Sequence, residues 1–381
     1  MRIFVAANGR VCTTNRDGSE VRLRALLEVE ADRNGVYILA PTRQIRLFSQ
    51  YGLSERLRLI KVKELYSSEV DSVPNVIFQY LYRLVYSLFV RYPKADLILS
   101  PSDFIVDVFP CVLAKIANPR ADFVVWSFLL PNTNLAEGSF YDKVRNFLFR
   151  CSHSVSLGLA KICNAKILVL NRDDEKALVA KGFERVKTVT MGIDYPSFEG
   201  ACRENLPERY HSDYIFVGRL HRQKGLDTLK SFLETVRKRS SESRVIIIGG
   251  GDQSQVNRFN NFIARDLGSP ANIEYLGFVD GEEKIKYLIG SKVFLMPSTH
   301  ESFGTTIIEA MAARLAVVAF DLPVYRSLFS GRLRLSPVGD DHHFIDSALA
   351  APDAWDTRTV DENRSFARQF DWAAVFTHEL K

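Results

Sequence analysis

The sequence is poor in the features that staple or anchor a chain. Five cysteines in 381 residues, Cys12, Cys111, Cys151, Cys163 and Cys202, are scattered with no C-x-x-C pair. An odd, dispersed set argues against a disulfide framework and reads as reduced thiols of a cytosolic protein. No uncharged apolar run reaches the roughly 18 residues that a membrane-spanning helix needs. The opening MRIFVAANGR reads as a strand and a turn rather than a signal peptide. There is no G-x-G-x-x-G, so a dinucleotide cofactor is not expected, and no G-x-S-x-G nucleophile elbow. Adjacent His342 and His343 do not converge on one ion as an i, i+4 pair would, and Asp173-Asp174 and Asp340-Asp341 stand where helices begin and read as caps. No metal site is therefore expected. The net charge of +5 is small. It suits an anionic substrate or a weak attraction to an anionic membrane, and argues against a nucleic-acid partner.

With 46% hydrophobic and 25% charged residues the composition is that of a globular protein, and the length accommodates two domains. Arg2–Ala6 reads as a first strand, residues 7–18 as a long polar loop, and a helix with Val21, Leu23, Leu26, Leu27 and Val29 on its apolar side follows. Further strands are expected at Val36–Ala40, Ala95–Ser100, Phe123–Phe128, Ile167–Leu170 and Val186–Thr190. Residues 196–212 are polar, contain Pro and Gly, and read as a linker. A second series of strands runs Tyr214–Val217, Val245–Ile248, Ile273–Leu276, Val293–Met296, Ala316–Phe320 and Leu333–Ser336. Strands alternating with helices make two α/β halves, each Rossmann-like. Val76–Tyr92 is apolar and aromatic, interrupted by Gln79, Arg83 and Arg91. It reads as a core helix, with a membrane-surface helix as the alternative. Asp142–Cys163 carries Lys143, Arg145 and Arg150 among apolar residues, a second candidate for contact with an anionic membrane.

The stretch Val293–Phe320 reads as strand, loop, helix, strand, one parallel βαβ unit. Glu301 lies in its loop and Glu309 in its helix, seven residues between them. A lone Glu is usually just solvated, but the carboxyl ends of parallel strands are where such sheets bind ligands. A carboxylate there can accept hydrogen bonds from neighbouring hydroxyls. Between the acids, Ser302 and Phe303 precede Gly304, which lets a backbone approach closely, and Thr305 or Thr306 is placed to cap the helix. Upstream, Gly218-Arg219-Leu220-His221-Arg222-Gln223-Lys224-Gly225 follows one strand and precedes a helix, so Arg219 and Lys224 sit where an anion is favoured. His221 and Arg222 read as surface residues. Gly249-Gly250-Gly251-Asp252 and Gly277-Phe278-Val279 end the next two strands.

The two acids in their hydrophobic frame resemble the E-x7-E signature of retaining glycosyltransferases with the GT-B fold, family 4, the family of sucrose synthases and bacterial mannosyltransferases. Gly218-Arg219-x4-Lys224 resembles that family's G-R-x4-K, Gly249-x-Gly251 its G-x-G loop, and Gly192-Ile193-Asp194 its domain junction. The resemblance is good from about residue 165 onward and loose before. It implies an α/β chain of two Rossmann-like domains facing across a cleft: 1–197 binding an acceptor, 212–360 binding a nucleotide-sugar, and 361–381 forming a helix that crosses back. It implies that Glu309 holds the ribose hydroxyls and that Glu301 lies at the donor sugar. Arg219 and Lys224 would bind the diphosphate and stabilise the leaving group. Gly218, Gly249, Gly251, Phe278, Ser302, Phe303, Gly304 and Thr305 would line the nucleotide-sugar. Of the family's Gly-Gly in the first loop, only Gly18 carries over, because the next residue is Ser19.

The implied activity is metal-independent, cofactor-free, retaining transfer from a UDP- or GDP-sugar to a glycan, glycolipid or lipid-linked acceptor. Its setting would be cell-surface polysaccharide assembly at the inner face of the cytoplasmic membrane. One departure stands out. Many family members present a first-domain His to the donor sugar, whereas here the first His is His153, well past the strand ends. Asp103 and Ser127 are the nearest polar residues. Two other readings stay open: a GT-B isomerase such as a sugar-nucleotide 2-epimerase, which would not need the paired acids, and a non-catalytic sugar-nucleotide binder.

Overall fold

A computed structural model of the chain describes residues 1–9, 18–64, 73–128, 140–201, 205–239 and 242–379. These divide into two compact units, joined between Val189 and Thr190. The first contains β1 (Arg2–Ala6), α1 (Gly18–Glu30), β2 (Gly35–Pro41), α2 (Thr42–Gln50), β3 (Arg58–Val62), α3 (Val73–Ser87), β4 (Leu97–Ser100), α4 (Ile105–Ala117), β5 (Asp122–Trp126), α5 (Phe140–Ile162), β6 (Lys166–Val169), α6 (Arg172–Ala180) and β7 (Val186–Thr188). Its strands form one parallel sheet in the order β3-β2-β1-β4-β5-β6-β7. The order reverses between β1 and β4, the place where a doubly wound sheet opens a crevice at its carboxyl edge. Phe4, Ile98, Val108, Phe123, Val125 and Ile167 are at the centre of the core.

The second unit contains α7 (Tyr195–Glu199), β8 (Ser212–Val217), α8 (Leu226–Arg239), β9 (Val245–Ile248), α9 (Gln253–Asn261), β10 (Ile273–Tyr275), α10 (Gly281–Gly290), β11 (Ser291–Met296), α11 (Thr305–Ala312), β12 (Ala316–Phe320), α12 (Pro323–Leu328), β13 (Arg334–Ser336), α13 (Asp341–Ala354), α14 (Thr357–Ala367) and α15 (Trp372–Glu379). The parallel sheet runs β10-β9-β8-β11-β12-β13. β9 and β12 are buried along their whole length. Helices cover both faces of such strands, so they read as unbroken apolar runs rather than alternating ones. The expected caps are present: Asn171 Oδ1 accepts from Asp174 N–H at 2.8 Å on α6, and Asp340 Oδ1 from His343 N–H at 3.0 Å on α13.

Four expectations need correcting. β3 and α2 were not anticipated: β3 is an edge strand whose RLIKV mixes two cations with apolar residues and is mostly only partly buried. Residues 190–197 belong to the second unit, because Ile193 bridges to Asp371 and a side chain at Gly192 would strike the Trp372 ring. Residues 361–381 do not form a single helix: α14, which packs on α11, and α15 are separate, and both belong to the second unit. Finally, α3 is not a simple core helix. Ile77, Leu81 and Val85 are exposed while Arg83 and Ser87 are buried. Arg83 points inward because its guanidinium donates to the Asn8 and Gly9 carbonyls at 2.7 and 3.0 Å. On α5, the side chains of Lys143 and Arg145 lie outside the described residues.

Candidate functional site

In the second unit, β8 delivers the segment 218–225 to the carboxyl edge of the sheet, and two glycines fix its path. A Cβ on Gly249 would lie 1.7 Å from the Gly218 carbonyl oxygen, and one on Gly225 would lie 1.9 Å from that of Pro297. Gly225 also has φ +71°, a conformation that disfavours side chains. The segment is pinned on both sides. Leu220 N–H donates to Gly250 O at 2.8 Å, Thr299 N–H to Gln223 O at 2.9 Å, and Gln223 Nε2 to His300 O at 3.0 Å. His221, read from sequence as a surface residue, is exposed but has a role: its Nδ1 accepts from Gln223 N–H at 3.2 Å and caps the short helical turn that carries Lys224. Partial desolvation of its ring, and then the charge of Arg219, lower its pKa, which favours the neutral ring that can accept.

This path brings Lys224 Nζ onto Glu301 Oε1 as a partly buried ion pair. Arg219 is exposed and makes no ion pair or side-chain hydrogen bond among the described residues. Behind Glu301 lies the fully buried ring of Tyr325. Burial pushes this phenol well above its ordinary pKa, the Glu301 charge adds to the effect, and the Ser298 hydroxyl opposes it. Neither threonine caps α11. Gly304, at φ +92°, is the N-cap and offers no side chain, while the Thr306 hydroxyl faces Met296 Sδ at 3.7 Å. A Cβ on Gly304 would stand 3.0 Å from the Tyr325 ring, which is why glycine occupies the cap. The positive end of α11 thus carries first-turn amides with no side-chain acceptor, a favourable place for an anion.

Glu309, one helix turn further into α11, is engaged on one side only. Lys284 of α10 donates to its Oε1 at 2.8 Å, with Asp280 Oδ1 3.8 Å from the same ammonium. Its Oε2 is buried and has no hydrogen-bond partner among the described residues. A buried acceptor left unmet costs on the order of 1–3 kcal/mol, which a ligand hydroxyl would recover. Of the other residues singled out, Ser302 and Thr305 are half-buried, Gly218 and Gly251 lie in the loops at the carboxyl ends of β8 and β9, and the Phe278 ring beyond β10 is 47% exposed. Phe303 turns inward, edge-on to Phe370 with ring centroids 6.1 Å apart, so only its backbone is available to a ligand. Gly18 begins α1, and residues 10–17 before it lie outside the described residues.

The first unit has a polar cluster of its own. Ser127, just past β5, donates to Asp103 Oδ2 at 2.6 Å, and His153 Nδ1 of α5 lies 3.1 Å from the same oxygen. All three residues are buried. The sequence pointed to Asp103 and Ser127 but set His153 aside as too distant along the chain; α5 folds it back onto them. Next to this group, Asp107 of α4 accepts from the Asn8 and Gly9 N–H groups, both at 2.6 Å, and from the Ser102 hydroxyl. Burial pushes the Asp107 carboxyl up to about 6 despite these bonds and the nearby Arg83 charge. The amide side chain of Asn8 is fully buried and has no partner among the described residues.

Residues 204–333 match the family model described as glycosyl transferases group 1. The chain carries a glycosyl transferases group 1 domain. Arg219, Lys224, Glu301 and Glu309 all fall within it. Among curated proteins, the chain is 32% identical over 204 residues to the phosphatidyl-myo-inositol mannosyltransferase of Mycobacterium tuberculosis, a match covering 51% of this chain and 52% of the relative. It is 33% identical over 172 residues to the D-inositol 3-phosphate glycosyltransferase of Corynebacterium urealyticum, covering 41% of each. The chain thus spans about half the length of these relatives or less. Solved structures align over nearly the whole chain. Anabaena Alr3699/HepE in complex with UDP and glucose superposes with a TM-score of 0.69 at 18% identity, covering 100% of this chain and 98% of that one. Sucrose-phosphate synthase from Thermosynechococcus elongatus superposes with a TM-score of 0.73 at 16% identity, covering 99% and 97%. At such identities the likeness establishes the fold: the two Rossmann-like units are those of GT-B glycosyltransferases.

Proposed function

We propose that the protein is a glycosyltransferase that moves a sugar from a UDP- or GDP-sugar to a hydroxyl of a glycan or lipid-linked acceptor. The observation that carries this reading is the pairing, in the second unit, of a buried, unpartnered Glu309 Oε2 with two cations and an uncapped helix N-terminus at the same sheet edge. A ribose hydroxyl would donate to Glu309 Oε2. The first-turn amides of α11, with Arg219 and Lys224, would hold the diphosphate. Preorganised cations of this kind stabilise the charge that develops on the departing phosphate. They do so without requiring a metal ion, and metal-independent turnover is part of the proposal. The names of the relatives above, and the UDP and UDP-glucose held by HepE, support a nucleotide-sugar donor.

The reaction on this reading retains the anomeric configuration. The acceptor oxygen bonds to the anomeric carbon on the face from which the phosphate oxygen leaves, and the acceptor proton passes to that departing oxygen. Glu301, held by Lys224 in the second unit, lies on the donor side and orients the sugar's hydroxyls. The test is to incubate the protein with UDP- and GDP-sugars, with and without candidate acceptors. A transferase consumes the donor and glycosylates the acceptor only when an acceptor is present. Interconversion of the donor without acceptor would replace this reading with an epimerase, and a donor bound but never altered would replace it with a binding protein.

A further inference from the structure

Helix α3 packs on the core through Tyr82 and Tyr86, yet it also presents an apolar side to solvent. Its inward side carries Arg83 and Ser87, both buried, while large apolar side chains face solvent. Ile77, Leu81, Val85 and Leu88 are 42% to 58% exposed, and Phe89, in the turn just after the helix, is 82% exposed. At about 100° per residue, Ile77, Leu81 and Val85 fall within an arc of about 80°, a single stripe running down the helix that Leu88 and Phe89 extend just past its end. An exposed contiguous stripe of this kind on a globular protein marks a contact surface rather than chance exposure.

The charges around the stripe indicate what covers it. Residues 73–94 contain no Asp or Glu. The one cation within the helix, Arg83, is committed inward to the Asn8 and Gly9 carbonyls. At the helix's C-terminal end, Arg91 and Lys94 are exposed. Lys61, also exposed, is held beside α3 because its carbonyl accepts from the Tyr86 hydroxyl at 3.1 Å. The next carboxylate along the chain, Asp96, is already engaged with Arg2. If the stripe paired with that of a second copy, Lys61, Arg91 and Lys94 would be set against like charges at its rim. The stripe fits a surface that takes up apolar side chains and presents anions at the rim.

We propose that the outer face of α3 docks the protein onto an anionic lipid bilayer, with Ile77, Leu81, Val85, Leu88 and Phe89 entering the headgroup–acyl boundary and Lys61, Arg91 and Lys94 meeting lipid phosphates. This surface belongs to the first unit and does not depend on the donor chemistry of the second.

The test is flotation of the full chain with vesicles of phosphatidylcholine alone and of phosphatidylcholine mixed equally with phosphatidylglycerol, with sedimentation velocity run alongside. The wild type should float with the mixed vesicles and much less with phosphatidylcholine alone. Leu81→Ser with Val85→Ser should reduce partitioning by about tenfold or more, because interfacial binding scales with the apolar area inserted. Arg91→Glu with Lys94→Glu should abolish the preference for anionic vesicles. These positions are exposed, so the thermal midpoint should hold; if the helix pair does not fold, Leu88→Ser with Phe89→Ser, beyond the helix, carries the same test. The proposal is overturned if the wild type ignores anionic vesicles or if the serine variants float equally well. It is also overturned if the wild type is a dimer that the serine variants dissociate while vesicles go unbound, which would make the stripe an interface between copies. None of these readouts requires sugar transfer, so they stand apart from the catalytic reading.

Discussion

Replacing Glu309 by Ala removes the group on which the donor-site reading most depends. Glu309 Oε1 is held by Lys284 at 2.8 Å, and Oε2 is buried with no partner among the described residues. A ribose hydroxyl reaching Oε2 would form a hydrogen bond to a charged acceptor, worth about 1.5–3 kcal/mol. Loss of that bond raises the dissociation constant of the nucleotide by about 10- to 150-fold. Isothermal calorimetry with UDP and GDP identifies the tighter ligand and measures the change. Pairing the variant with the 2′- and 3′-deoxy forms of that nucleotide makes the test specific. In the wild type, removing the hydroxyl that Oε2 accepts should cost about as much as the mutation; in Glu309→Ala, removing the same hydroxyl should cost almost nothing further, because the partner is already gone. Lys284 keeps Asp280 nearby in the variant, so the fold should survive. Undiminished affinity in a folded Glu309→Ala, or a deoxy penalty that persists in full, would refute the assignment.

Other outcomes follow from the same geometry. Lys224→Ala should lower turnover by about a hundredfold or more, because it removes a preorganised cation from the leaving group, and Lys224→Arg should restore part of it; steady-state kinetics at saturating donor checks both. Turnover should persist in EDTA, and activity that disappears in chelator and returns with Mg²⁺ or Mn²⁺ would contradict a diphosphate neutralised by Arg219 and Lys224. Gly249→Ala should destabilise by about 3 kcal/mol, since its methyl group would meet the Gly218 carbonyl and force β8 and β9 apart; urea denaturation reads this. Asp107, raised from 3.8 to about 6 in the fold, contributes stability that is fully present below its unfolded pKa and is lost as pH rises through 6. Relative to Asp107→Asn, the wild type should therefore lose on the order of 3 kcal/mol between about pH 4 and pH 7, and denaturation curves that stay parallel over that range would contradict the shift.

The second unit was the more legible half of the sequence. Its strands are buried on both faces, so Val245–Ile248 and Ala316–Phe320 stand out as apolar runs with the bounds the structure gives them. Its site residues fall in short loops at strand ends, where a parallel sheet is expected to bind ligands. The first unit was harder to read because its informative contacts are distant in sequence. Nothing in the residues around His153 indicates that α5 sets its ring against Asp103, and β3 reads as a charged loop because an edge strand need not be apolar. α3 misled for a different reason. Its composition is that of a core helix, and Tyr82 and Tyr86 do pack on the core, but Arg83 turns inward as well and Ile77, Leu81 and Val85 are left exposed. The distance between Glu301 and Lys224 along the chain likewise concealed their ion pair, which depends on the close passage of Gly225 past Pro297.

The central claim is that the donor phosphate, held by Arg219 and Lys224, leaves and accepts the acceptor proton on one face of the sugar. The measurement that tests it most directly is NMR of the anomeric proton in the product formed from an α-linked nucleotide-sugar. An α-linked product is the result this account predicts, and a β linkage from the same donor would contradict it.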